Sequence, residues 1–170
     1  MTNWLYSNSS DNKERFILGE SGDNPLVCIG VNPSTAEPEN LDNTLRQVKA
    51  RASALGYDSW IMINLYPQRA TDPDDIHKKL NHKIHRQNLK EIKRYLSGSY
   101  DIWAAWGTLI EKRSYLIRCL KDIYEVLGSD CRWFIIGKRS MKGHPHHPLY
   151  LKKKMKLDGF DILAYIKKLS

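Results

Sequence analysis

Four short apolar runs, each cut off by glycine or asparagine, constrain this chain more than any other feature. They are Leu26 to Ile29 before Gly30, Trp60 to Ile63 before Asn64, Ile102 to Trp106 before Gly107, and Trp133 to Ile136 before Gly137. Runs this short and unbroken fit strands buried on both faces, and the glycines permit a sharp exit. Helical periods lie between them: Leu41, Leu45, Val48 and Leu55 closed by Gly56, then Ile84, Leu89, Ile92 and Leu96, then Leu109, Leu116, Leu120, Ile123 and Leu127. A parallel neighbour needs a long crossover, which a helix supplies, so strand–helix alternation implies parallel pairing. The expectation is an α/β three-layer sandwich around a central, mostly parallel four-stranded sheet. Phe16, Ile17 and Leu18 are expected to add an edge strand before the turn of Gly19 to Asn24.

A chain of 170 residues fits one domain, 1–170, and no repeat, low-complexity stretch or Pro/Gly-rich linker divides it. With 41% hydrophobic residues it has the apolar material to offset its ordering entropy. No apolar run approaches the ~20 residues that cross a bilayer, and Met1 to Ser10 lacks the apolar core of a signal peptide, so the expectation is a cytoplasmic protein with no membrane partner. Cys28, Cys119 and Cys131 form no CxxC pair and read as reduced core residues. The formal charge of +8 favours polyanionic partners. Lys138, Arg139, Lys142, Lys152, Lys153, Lys154 and Lys156 crowd the C-terminal third. Lys78 to Arg94 forms a second basic stretch, and either run is also explained by a solvated face.

In open α/β sheets ligands bind outside the carboxyl ends of the strands. The first run delivers GVNPST (30–35), the second NLYPQR (64–69), the third Gly107, and the fourth the loop through His144 to Tyr150. Asn-Pro-Ser-Thr is also ordinary turn chemistry. Read for function, Asn32 holds its amide over a pocket while Ser34, Thr35 and nearby backbone N–H groups bind a phosphate or water. Asn64 ends an apolar strand, where an amide carrying both donor and acceptor can read a base edge or simply terminate the sheet.

Several chemistries find no support. In HPHHP (144–148) neighbouring residues of an extended loop point apart and no carboxylate or cysteine is near in sequence, so no metal site is assigned. His77, His82 and His85 read as a solvated basic face. No GxGxxG, GxxxxGK[ST] or GxSxG is present, so no cofactor and no hydrolase triad are expected.

GVNPSTA, NLYPQRATDP, AAWG and GHPHHPLYL together resemble a bacterial family known only as a domain of unknown function (domain of unknown function 1643), with the likeness spanning most of the chain. Gly30 to Ala36, Asp42 with Thr44, Asn64 to Asp72, Trp106 with Gly107, and His147 to Leu151 resemble its signature positions. More widely, Gly30, Asn32 and Pro33 resemble the first motif of the uracil-DNA glycosylase superfamily, and His147 with Pro148 its last. Asn64 resembles its base-reading asparagine. The first motif departs in carrying Asn rather than Asp and in lacking the Gly or Tyr that usually follows Pro, and the last lacks Ser-Pro-Leu-Ser. The resemblance implies a uracil-DNA glycosylase-like fold and a nucleic-acid or nucleotide partner. It implies catalytic roles for Asn32, which positions water, and His147, which stabilises the departing base. It further implies a pocket of Gly30, Pro33, Ser34, Thr35, Asn64, Tyr66, Arg69, Trp106, His144, Leu149 and Tyr150. In it Tyr66 stacks on the base, Leu149 or Tyr150 fills the vacated stack, and Arg69 and the Lys138 to Lys156 cluster hold phosphates. A binding module without turnover, and an enzyme acting on free nucleotides, are the other readings the same residues allow.

Overall fold

The structure, a computed structural model, describes residues 1–152 and 154–170, apart from the side chain of Tyr150. Its strands are β1 (Trp4–Asn8), β2 (Arg15–Glu20), β3 (Pro25–Gly30), β4 (Ser59–Asn64), β5 (Asp101–Ala104), β6 (Arg132–Ile136) and β7 (Leu157–Gly159). They form one sheet of order β1-β2-β4-β3-β5-β6-β7. The inner run β4-β3-β5-β6 is parallel, as expected, but β1, β2 and β7 extend it antiparallel, so the sheet is mixed and seven-stranded rather than four-stranded. The Phe16–Leu18 segment is not at the edge: β2 lies between β1 and β4, and all three of these residues are buried. The sequence hides this because β1 (WLYSN) is only half-buried and lacks a continuous apolar run.

Helices α1 (Asn43–Ala54), α2 (His82–Tyr95), α3 (Tyr115–Leu127) and α4 (Ile162–Leu169) flank the sheet. The period-2 alternation of β3 divides the core in two. Leu26 and Cys28 pack with Leu45, Val48 and Ala52 of α1 on one face, whereas Val27 and Ile29 pack with residues of α2, α3 and α4 on the other. The capping chemistry is local. Asp42 accepts from the Leu45 N–H to start α1, and Asn81 accepts from the N–H groups of Lys83 and Ile84 to start α2. Leu109, expected on the α3 stripe, instead sits in a 3-10 turn, Gly107–Lys112, that precedes α3. All three cysteines are buried and unbridged. Among the described residues no helix is long and apolar enough to cross a membrane.

The connections fix where a site can form. The chain leaves β3 towards α1 on one face and leaves the adjacent β5 towards α3 on the other, so their carboxyl ends diverge and open a crevice between them.

Candidate functional site

At that crevice lies a cavity of about 150 Å³, walled by Gly30 to Ser34 after β3, Asn64 at the end of β4, Ala105 and Trp106 after β5, and His147. An engineered cavity of this volume takes up benzene, so the space matches one six-membered ring. Met62, Leu45, Val31 and Trp106 supply its apolar surface, and Arg15, Asp42 and Thr44 line it too. A side chain at Gly30 would place its Cβ 2.8 Å from the Met62 Cε and 3.0 Å from the Asn64 Oδ1, so glycine keeps this space open.

Backbone bonds tie the loops together beyond the strand ends: Leu65 N–H to the Gly30 carbonyl, Tyr66 N–H to Val31, Ala70 N–H to Pro33 and Ala105 N–H to Ile29. The Asn32 side chain reinforces this, its Nδ2 donating to the carbonyls of Pro33 (3.0 Å) and Ala70 (2.9 Å). Its Oδ1 accepts from no group among the described residues. Ser34 Oγ bonds Thr71 Oγ1 at 2.9 Å, and Pro33 is buried in the cavity wall. Thr35 is exposed and lies outside the wall.

Asn64 differs from its neighbours. It is 1% exposed, its carbonyl accepts from Asn88 Nδ2 at 3.0 Å, and its own Nδ2 has no partner. A buried, unpaired amide donor is costly, and in a cavity wall it is placed to bond an acceptor that enters.

His147 carries the other chemical feature. Its Nδ1 accepts from the Leu149 N–H at 3.2 Å, which puts the ring proton of the neutral imidazole on Nε2. Burial, reinforced by the adjacent His146, pushes its pKa below the ordinary imidazole value, so at neutral pH the ring is an uncharged donor. Gly107, at φ +63°, lets the loop past β5 turn with the His147 Cβ 3.5 Å from where a side chain would begin. Trp106 is fixed by a relay: its Nε1 donates to Tyr165 Oη (2.9 Å), which is hydrogen-bonded to His144 Nδ1 (2.8 Å). Burial pushes the Tyr165 phenol up to about 12, so it keeps its proton.

A protein-family model matches residues 15–149. The chain belongs to the family described as Protein of unknown function (DUF1643). No curated protein and no solved structure gives a significant match. The matched span of this DUF1643 chain runs from Arg15 to Leu149 and so holds every residue of the cavity wall, while β1, β7 and α4 fall outside it.

Three expected site residues serve the scaffold instead. Tyr66 is fully buried, accepts from the Asn81 N–H (3.1 Å) and donates to His77 Nδ1 (2.6 Å), so it cannot stack on an incoming base. Arg69 spends its guanidinium on the carbonyls of Ser34 (2.6 Å) and Ala36 (3.0 Å) and on Tyr6 Oη (2.9 Å), bracing the β3 loop rather than holding phosphate. His144 is 1% exposed and positions Tyr165, with Glu111 Oε2 3.6 Å from its Nε2. The histidines near α2 are not one solvated face either: His82 is exposed, but His85 is buried against Asp122 at 2.8 Å, and His77 precedes the helix. Leu149 is exposed and lines neither cavity. The Tyr150 side chain and Lys153 lie outside the described residues.

A second, larger cavity of about 720 Å³ shares Pro73, Trp106, Leu109 and His147 with the first. Lys138, Arg139 and Met141 line it, Met141 being fully exposed. Of the C-terminal basic cluster, these two cations face a cavity, whereas Lys142 pairs with Glu111 at 3.0 Å. The residue that sequence reasoning missed is Arg15, a buried guanidinium in the cavity wall. Its one signal was position, a cation immediately before the buried run of Phe16 to Leu18.

Proposed function

We propose that this chain is a uracil-DNA glycosylase-like protein whose smaller cavity takes a nucleobase out of a nucleic acid and hydrolyses its N-glycosidic bond. The observation that carries the reading is the unpaired Asn64 amide in a cavity of single-ring size at the carboxyl end of a parallel strand. The larger cavity, which shares His147 and Trp106 with it and bears Lys138 and Arg139, suits the sugar and phosphates flanking an extruded base. In the reaction the bond from sugar C1′ to the base nitrogen breaks and both electrons stay with the base. The sugar becomes an oxocarbenium ion, water adds its oxygen at C1′, and the water's proton passes to solvent. The neutral His147, with its proton on Nε2, donates a hydrogen bond to the base as negative charge builds there. The Asn32 Oδ1 orients the water as an acceptor, although an amide cannot take the proton as a carboxylate does.

The test is base release from labelled single- and double-stranded oligonucleotides carrying uracil, hypoxanthine, xanthine or alkylated bases, with His147→Ala and Asn64→Ala as controls. Release that disappears in both variants while they stay folded supports the reading. Release unchanged in both removes the site assignment, and tight, salt-dependent binding without release assigns the cavity to recognition alone.

A further inference from the structure

Arg15 begins β2, 1% exposed, in the wall of the ring-sized cavity. Its Nη1 donates to the Ala36 carbonyl at 3.0 Å, its Nε has no partner, and among the described residues it forms no ion pair. The charges acting on it are the Arg69 guanidinium, which opposes it, and the Asp42 carboxylate, which favours it; burial and Arg69 together bring its pKa down to about 10. Arg15 is thus a buried guanidinium with no ion-pair partner among the described residues. That is a positive excess of the kind folded proteins neutralise with a partner. The second unpaired buried group in the wall, Asn64 Nδ2, is also a donor.

We propose that Arg15 receives negative charge from the ligand: the cavity prefers a six-membered heterocycle in its anionic form, with oxygens rather than amino groups turned to Arg15 and Asn64. The inference rests on the base-recognition reading above and assigns it a substrate class, bases bearing ring carbonyls. It also gives the reaction a group beyond His147. A base leaving with the bonding pair is an anion, and a fixed guanidinium is stronger in that state than in the neutral ground state. Inorganic phosphate has the charge but would leave uncovered the apolar surface of Met62, Leu45, Val31 and Trp106, which a ring would cover.

The test compares two ligands of one ring size by calorimetry on the full chain at neutral pH: uracil, which is neutral, and barbiturate, which is an anion with one more ring oxygen. Barbiturate binding about 10- to 100-fold tighter than uracil is expected, the worth of a hydrogen bond to a charged group. Arg15→Met weakens barbiturate far more than uracil and so removes the difference, and Arg15→Lys keeps part of it. Equal affinities in the wild-type chain, or a preference that survives in Arg15→Met, overturn the inference and leave base recognition standing. Phosphate displacing barbiturate at equal concentration overturns it too, by showing an anion hole with no ring specificity. Binding of neither ligand overturns both readings. Should Arg15→Met fail to fold for want of its bond to Ala36, the wild-type comparison and Arg15→Lys decide.

Discussion

Replacing Asn64 by leucine sets stability against function in a way that few substitutions do. The side chain is 1% exposed and its Nδ2 has no acceptor, so the folded chain carries a stranded donor. An unpaired buried donor costs about 1–3 kcal/mol, and replacing such a group by an apolar one of similar shape is neutral or stabilising. Leucine matches asparagine in branching, so overpacking takes back about 1 kcal/mol. The net expectation is a gain of between about 0 and 2 kcal/mol. For a chain of this length each kcal/mol moves the melting temperature by about 2–4 °C, giving a rise of up to about 8 °C. Urea titration and thermal unfolding measure this, and calorimetry with uracil on the same sample is expected to show no binding. A loss of more than about 1 kcal/mol would refute the reasoning, because the amide would then be part of the scaffold and not held for a ligand.

Tyr66→Phe removes the hydrogen bonds to the Asn81 N–H and the His77 Nδ1, so urea titration should show a loss of about 1 kcal/mol, with uracil affinity unchanged because Tyr66 does not line the cavity. Arg69→Met loses three hydrogen bonds and should cost about 2–3 kcal/mol, while the slope of log affinity for an oligonucleotide against log salt stays as it was, since no phosphate contact is lost. His147 titrates below the ordinary imidazole value of about 6.5 when folded, so as pH falls past that value the unfolded chain gains a proton first. Stability therefore rises with pH across the window below about 6.5 and levels off above it, and His147→Gln should flatten that slope in denaturation curves taken at each pH.

The inner sheet was legible because burial on both faces writes itself as continuous apolar runs, and each of the four appears within a residue or two of its strand. The outer strands were not. β7 is three residues, LDG, with no hydrophobic pattern, and β1 is half-buried, so pairing with neighbours fixes both. α4 was missed although Tyr165, one of its buried residues, positions Trp106 in the cavity wall. In the site, Gly30, Asn32, Pro33, Ser34, Asn64, Trp106 and His147 do converge on one cavity, because they sit at strand ends and a parallel sheet brings those together.

Arg69 and Arg15 show why the remaining assignments went astray. Arg69 looked like a phosphate ligand because it follows a strand end, and Arg15 drew no notice because it precedes a strand, yet the structure gives them opposite employment. Arg69 has three acceptors from its own chain and so behaves as part of the loop it braces. Arg15 has one acceptor and a bare Nε, and Asn64 beside it in the wall has a bare Nδ2. A sequence displays which donors exist but not which are already engaged, and engagement depends on carbonyls as distant in the chain as Ala36 is from Arg15. Both unpaired donors in the cavity wall are open to an acceptor, one of them with a full positive charge.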